Sequence, residues 1–258
     1  MKAKNLKNLN SGAIDVDKYA ISEPLNFISL YEIFCVNDIE PALKELKRIK
    51  DDKNRVHLQK LVYTNLVNRF DALVDNLILW FSINNEDLRN AVLKDVKEEP
   101  IYKKEVFELF IMKERAFEFV NEKIKTIASG SLLRERHSKK IQKIFSTALK
   151  WPEANFQRPR VHEDGTIFYK RSKNKTQPNT IVGYADWLYS RRNSIVHGDG
   201  MHYNELDFSY ITKTFQVSLS KNFRLQLSSV TSASKFYKDL LKLIRESLLE
   251  LIKSPDAI

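Results

Sequence analysis

The sequence predicts a mainly α-helical fold, on three observations. Apolar residues recur at the three-or-four spacing of an amphipathic helix along most of the chain. Glycine is sparse, at 6 of 258 residues, and Leu, Lys, Glu and Ile dominate, a mixture that favours helices over a sandwich or barrel. With 43% hydrophobic and 29% charged residues, the chain is too apolar to be disordered and long enough for a packed core. Residues 24–258 are expected to form one helical domain, preceded by a polar, flexible segment over residues 1–23.

The elements follow in order. Leu25 to Val36 reads as a short apolar helix, and Asp38 as the cap of a second that carries Pro41 in its first turn. A long helix is expected from Arg55 to Ser82, closed by Asn84 and Asn85. On it Asp71 and Asp75 share a face one turn apart. Glu86 to Val96 restarts a short helix, and Pro100 breaks it. Tyr102 to Ala128 is a strong helix, with Val106, Leu109, Phe110, Phe117, Val120 and Ile124 inward and Gly130 as its stop. Ser131 to Leu149 reads as a basic amphipathic helix.

From Trp151 to Thr180 the helical period disappears, and residues 151–180 form a long basic loop insertion. Within it Val161 and Ile167 to Tyr169 suggest a small hairpin around Asp164-Gly165. A helix then runs to the neighbourhood of Gly198. Alternating apolar and polar residues either side of Ser220-Lys221-Asn222 predict a short β-hairpin before the last helix, Ser234 to Lys253.

Charge is unevenly placed. Between Arg134 and Lys175 twelve Lys and Arg face four acids, an excess of eight within a chain whose formal net charge is +10. A charge run is commonly a solvated face, but this one leads directly into the helix discussed next, which favours a polyanionic partner. Arg158, Arg160, Lys170, Arg171, Lys173 and Lys175 are the candidate RNA-binding residues. The single cysteine, Cys35, excludes an internal disulfide framework and reads as a small buried hydrophobe. The first residues lack the apolar core of a signal peptide, and no run approaches the ~18 apolar residues of a membrane span. A cytoplasmic protein without a membrane partner is expected.

No Gly-rich phosphate loop, G-x-S-x-G, H-E-x-x-H or Cys-x-x-Cys occurs. His57, His137 and His162 read as surface or turn residues. His197, Asp199 and His202 lie close together, but no further His or Cys pattern supports a metal site, so neither metal nor cofactor is expected. The remaining constellation is Tyr184 to Gly200, YADWLYSRRNSIVHGDG, which ends in Arg192-Asn193-Ser194-Ile195-Val196-His197 ahead of Gly198. Gly198 stands where helices commonly stop in a left-handed residue.

Arg192-Asn193 and His197 resemble the R-N-x-x-x-H motif of HEPN domains, particularly stand-alone HEPN proteins of prokaryotic toxin and antiviral defence systems. The specific match spans about a dozen residues. The resemblance implies a dimerising helical bundle in which two motif copies meet across the interface to form a metal-independent endoribonuclease site. It also implies a homodimer acting on RNA, with an antitoxin or regulatory protein as a further partner. Arg191 fits the looser family spacing, and Asp71 and Asp75 are the accessory candidates.

Helix geometry bears on this. Five residues at 100° set Arg192 and His197 about 140° apart, while Asn193 is only about 40° from His197. The pair does not make a one-sided site unaided: Arg192 reaches round with its long side chain, the last turn is distorted, or a partner helix completes the cleft, which the dimer handles most easily. His197 would exchange protons with the ribose 2′-hydroxyl or the leaving 5′-oxygen. Arg192 would stabilise charge on the phosphate, and Asn193 would orient His197 or hold the helix end. Two alternatives stand beside this: a non-catalytic HEPN-like module binding RNA or protein, and a purely structural helical protein whose cations merely favour a helix C-terminus.

Overall fold

The chain folds into a helical bundle, seen in a computed structural model that describes residues 23–94, 103–111, 116–168, 170, 172–173 and 175–253. The expected N-terminal segment lies almost wholly outside the described residues. Helix α1 (23–34) does not stop at Val36. It runs through a π-turn, Cys35–Ile39, into α2, Glu40–Leu46, so Asp38 caps nothing. Pro41 sits in the first turn of α2 as expected. Ile28, Tyr31, Cys35 and Ile39 are buried on one side of this rod. Burial among them pushes the Cys35 thiol up to about 11.

The organising scaffold is α3, Asp52–Asn84, opened by Asp51, whose carboxylate accepts from the Lys53 and Asn54 amides. Tyr63, Leu66, Phe70, Leu73, Leu77 and Phe81 repeat along its buried face. Asn85 alone separates it from α4, Glu86–Lys94, and caps α4 by accepting from the Leu88 amide at 2.9 Å. Within the stretch expected as one helix, the described residues form α5 (Lys103–Ile111) and α6 (Ala116–Gly130), and residues 112–115 lie outside them. The side chains of Val106, Leu109 and Phe110 lie outside the described residues. Phe117 and Val120 are not inward: they are 73% and 44% exposed. Only the second half of α6, through Ile124 and Ala128, is buried.

The expected basic helix is divided into shorter pieces, with Ile141, Ile144, Phe145 and Leu149 buried as its pattern requires. A 3-10 turn (Leu132–Arg134) leads to α7, His137–Lys143, and a π-turn, Ile144–Ala148. His137 and Lys140 are buried, contrary to the expected surface placement of His137. The loop beyond holds a single helical turn, α8 (Glu153–Phe156), and the bridge Val161↔Ile167 that closes the turn at Asp164-Gly165. Helices α9 (Ile181–His197), α10 (Glu205–Phe215) and α11 (Leu227–Lys253) complete the fold.

The expected β-hairpin does not form, and the described residues contain no sheet. After α10, Asn222 bridges to His202 instead of to its own flank, with Phe223 N–H donating to Met201 O and Tyr203 N–H to Lys221 O. The apolar alternation serves packing: Leu225 is buried, and the Phe223 ring meets Tyr203 at 4.7 Å. The final helix consequently starts seven residues earlier than expected, at Leu227. No described helix is long and apolar enough to cross a membrane.

Gly165 fastens the basic loop to α11. Its φ is +84°, and a β-carbon there would overlap the Ser232 carbonyl. Gly165→Ala should therefore destabilise the protein by more than about 1 kcal/mol in urea melts. A variant as stable as the parent would show that this contact does not hold the loop.

Candidate active site

Helix α9 owes its position to burial on nearly every side. Thr180 opens it, its hydroxyl accepting from Gly183 N–H at 3.0 Å. Every residue from Ile181 to Leu188 is buried. Gly183 lets Phe215 of α10 approach: a β-carbon would lie 2.7 Å from its ring. Two hydrogen bonds lock the rotation, Tyr63 hydroxyl to Leu188 O at 2.9 Å and Trp187 Nε1 to the Tyr203 hydroxyl at 2.7 Å. Asp186, with no exposed surface, accepts from Arg136 Nε at 2.8 Å and the Ser138 amide at 3.3 Å. Burial raises its carboxyl, against the pull of Arg136.

Only the last two turns emerge, and their side chains diverge. Arg192 reaches toward α3, where its Nε donates to Asn68 Oδ1, and its Nη1 donates to Asn193 Oδ1 at 3.0 Å. Its guanidinium lies over the Tyr189 ring, 5.4 Å from the centroid. Asn193 turns to α10 and donates to Asp207 Oδ2 at 3.5 Å, so it does not orient His197. His197 is exposed at the helix end, and among the described residues nothing hydrogen-bonds to its ring. Arg192 and His197 do not meet within the chain.

The helix ends differently from expectation. Gly198 is extended, at φ −129°, while Gly200 is left-handed at φ +69°. The amides of both donate to Ser194 O, at 3.1 and 3.0 Å. Gly198 is needed for closeness instead, since its β-carbon would sit 2.8 Å from that carbonyl. Asp199 folds back on the loop, accepting from the Met201 and His202 amides and pairing with the His202 ring. Those bonds hold its carboxyl down to about 2.

Arg191 takes a separate course. It is 5% exposed and lies between Trp187 and Phe223, 4.9 Å from each ring, so it is absent from the emergent cluster. The accessory candidates face α7. Lys140 Nζ donates to Asp71 at 2.9 Å and to Asp75 at 2.7 Å, and His137 Nδ1 lies 2.9 Å from the same Asp71 oxygen. Burial alone would raise Asp71, but His137 and Lys140 together hold it at about 2. Burial wins at Asp75, which is raised despite Lys140. The His137 ring in turn stacks on Tyr189, 4.8 Å away and 7° from parallel. A polar seam thus links Arg192, Tyr189, His137 and Asp71, with the carboxylates serving mainly to fasten α7 to α3.

Of the expected RNA-binding residues, Arg158, Lys170, Lys173 and Lys175 are exposed, Arg160 is partly buried, and Arg171 lies outside the described residues. Sequence reasoning missed Asn68, Tyr189, Arg136 and Asp207. Asn68 was signalled by its place with Asp71 and Asp75 on one polar line of an apolar helix. Asp207 was signalled by the cap Asn204 with two acids behind it, which opens α10. Comparison with protein-family models, curated proteins and solved structures finds no match to the chain.

The Asp71 network gives a pH signature. A carboxyl depressed on folding from its ordinary value near ~3.9 stabilises the protein above that pH, and the gain is lost as pH falls toward 2. Asp71→Asn should cost roughly 2 kcal/mol at neutral pH in urea melts, and the gap to the parent should narrow between about pH 4 and about pH 2. A gap independent of pH would contradict the assignment.

Proposed function

We propose that the protein is a metal-independent endoribonuclease that works as a homodimer, with Arg192 of one subunit and His197 of the other at a shared cleft. The observation that carries the reading is the emergent end of α9. There an exposed imidazole with no hydrogen-bond partner among the described residues lies five residues beyond an arginine fork aimed by Asn68 and Asn193. The divergence of the two side chains supports a site completed by a second copy. The exposed Lys and Arg of the loop supply the cationic surface that a phosphate backbone requires.

The chemistry follows from the side chains. The ribose 2′-hydroxyl loses its proton to a base, and its oxygen attacks the adjacent phosphorus. The bond to the 5′-oxygen breaks and that oxygen gains a proton, giving a 2′,3′-cyclic phosphate and a 5′-hydroxyl end. His197 moves the proton at one of these oxygens. Arg192, always cationic, stabilises the charge that accumulates on the phosphoryl oxygens. Asp71, clamped by Lys140, is not the base. A prokaryotic toxin or antiviral setting, with an antitoxin or regulator as partner, accompanies the resemblance of the motif.

Cleavage of single-stranded RNA should persist in EDTA and vanish when the 2′-hydroxyl at the cut site is removed. His197→Ala should lower the rate by about 10²–10⁴ with a nearly unchanged melting temperature, and Arg192→Ala by about 10²–10³ with the helical fold retained. Metal dependence, or DNA cut as fast as RNA, would overturn the mechanism. The internal hydrogen bonds of Arg192 favour a second reading, a non-catalytic module that binds RNA or protein. Salt-sensitive RNA binding without turnover, indifferent to His197→Ala, would select it.

A further inference from the structure

Arg191 presents a problem that the ribonuclease reading leaves unused. A guanidinium does not lose its proton in a protein, so a full charge is buried here. Among the described residues it forms no ion pair. Its Nη2 donates one long bond, 3.3 Å to the Ser229 hydroxyl, and its Nε is buried with no acceptor. Faces of Trp187, Phe223 and Tyr63 offset part of the cost, but rings accept only weakly.

The side chain borders a cavity of about 720 Å³ lined by the aromatic residues Tyr184, Trp187 and Phe223 and by the serines Ser218, Ser228 and Ser229. Gln177, at the end of the basic loop, also lines it, and Gln177 Nε2 is a second buried donor without a partner. Both unpartnered groups are N–H donors on residues that line the cavity, and the Arg191 guanidinium is a buried cation without a counter-ion among the described residues, so the ligand chemistry favoured beside it is anionic. The size fits an organic molecule and far exceeds a bare inorganic ion.

The rim restricts the charge. Glu163 and Asp164 border the same cavity. Asp164 is exposed, engaged by Lys235 and Thr166, and held at about 2, so it is ionised at neutral pH and repels a second negative group. A polyphosphate or an RNA strand fits that rim poorly.

We propose that this cavity binds a small molecule that joins one oxyanion, a phosphate or a carboxylate, to a flat apolar group, the oxyanion on Arg191 and Gln177 and the flat group along the aromatic wall. The site is separate from the Arg192–His197 surface and needs no RNA.

Calorimetry on the full-length protein tests it with phenyl phosphate, benzoate, inorganic phosphate and neutral phenol. At least one aromatic oxyanion should bind saturably at one per chain and raise the melting temperature, with phenol showing neither effect. Whichever of phenyl phosphate and benzoate binds more tightly identifies the oxyanion. Arg191→Met should weaken binding at least about tenfold. Ser218→Trp, at an exposed position on the wall, should abolish it with the helical circular-dichroism spectrum unchanged, and so decides the matter if Arg191→Met does not fold. His197→Ala should bind as the parent does, which keeps this result separate from the fate of the ribonuclease reading. Absence of saturable binding by either aromatic oxyanion at millimolar concentration, equal binding of phenol, or binding that survives Ser218→Trp would overturn the proposal.

Discussion

The structure depends on the burial of α9. Over its first eight residues, all buried, α9 has no solvent face, so every neighbour there is fixed by what it must cover. Helix α3 supplies the Tyr63 hydroxyl to Leu188, α7 and the turn before it supply Arg136 and Ser138 to Asp186, and α10 fits Phe215 against Gly183. The buried carboxylate is the sharpest of these constraints. Asp186 tolerates burial only with Arg136 in place, and Arg136 is held again by Asp207 at 2.9 Å and by the Tyr210 ring at 3.9 Å. Rotating α9 would break all of these at once.

That rigidity determines what the emergent turn can offer. Side chains at positions 191, 192, 193 and 197 leave a fixed axis in four directions. One enters the aromatic cage, one reaches α3, one reaches α10, and one enters solvent. Arg192 is aimed through contacts to α3 and α9 that are themselves anchored, which is the kind of support a positioned cation needs. His197 is not aimed by anything in its own chain. Under the proposed shared cleft, a substrate or a second subunit would orient its ring, and this asymmetry is the physical content of that proposal.

Much of the helical content was legible in the sequence because periodicity reports burial on one side, and α3 and α11 are strongly periodic. The end of α9 was legible from Gly198, although the reversal falls at Gly200. Failures came where burial and polarity part company. Lys140 and His137 look like surface residues of a basic helix, yet Asp71 and Asp75, one turn apart on α3, draw them inward. The carboxylate pair was visible, but its cationic partner lies about 65 residues away, and no local pattern records that pairing. Alternation near Asn222 fits a hairpin equally well, because strand periodicity does not specify a partner. The loop at Met201–Tyr203 took that role. Phe117 and Val120 fit a helical stripe but face outward, since a stripe shows that a face is apolar without showing what covers it.

The central claim is that Arg192 and His197 act from different subunits, and subunit mixing tests it most directly. Arg192→Ala and His197→Ala proteins, each inactive alone, would be unfolded together, refolded at equal concentration and assayed on RNA. A mixed dimer keeps one of its two clefts intact, carrying Arg192 from one chain and His197 from the other. With random pairing, activity should return to about a quarter of the parent value. A mixture as inactive as its components, with mixed dimers shown to be present, would contradict the shared cleft.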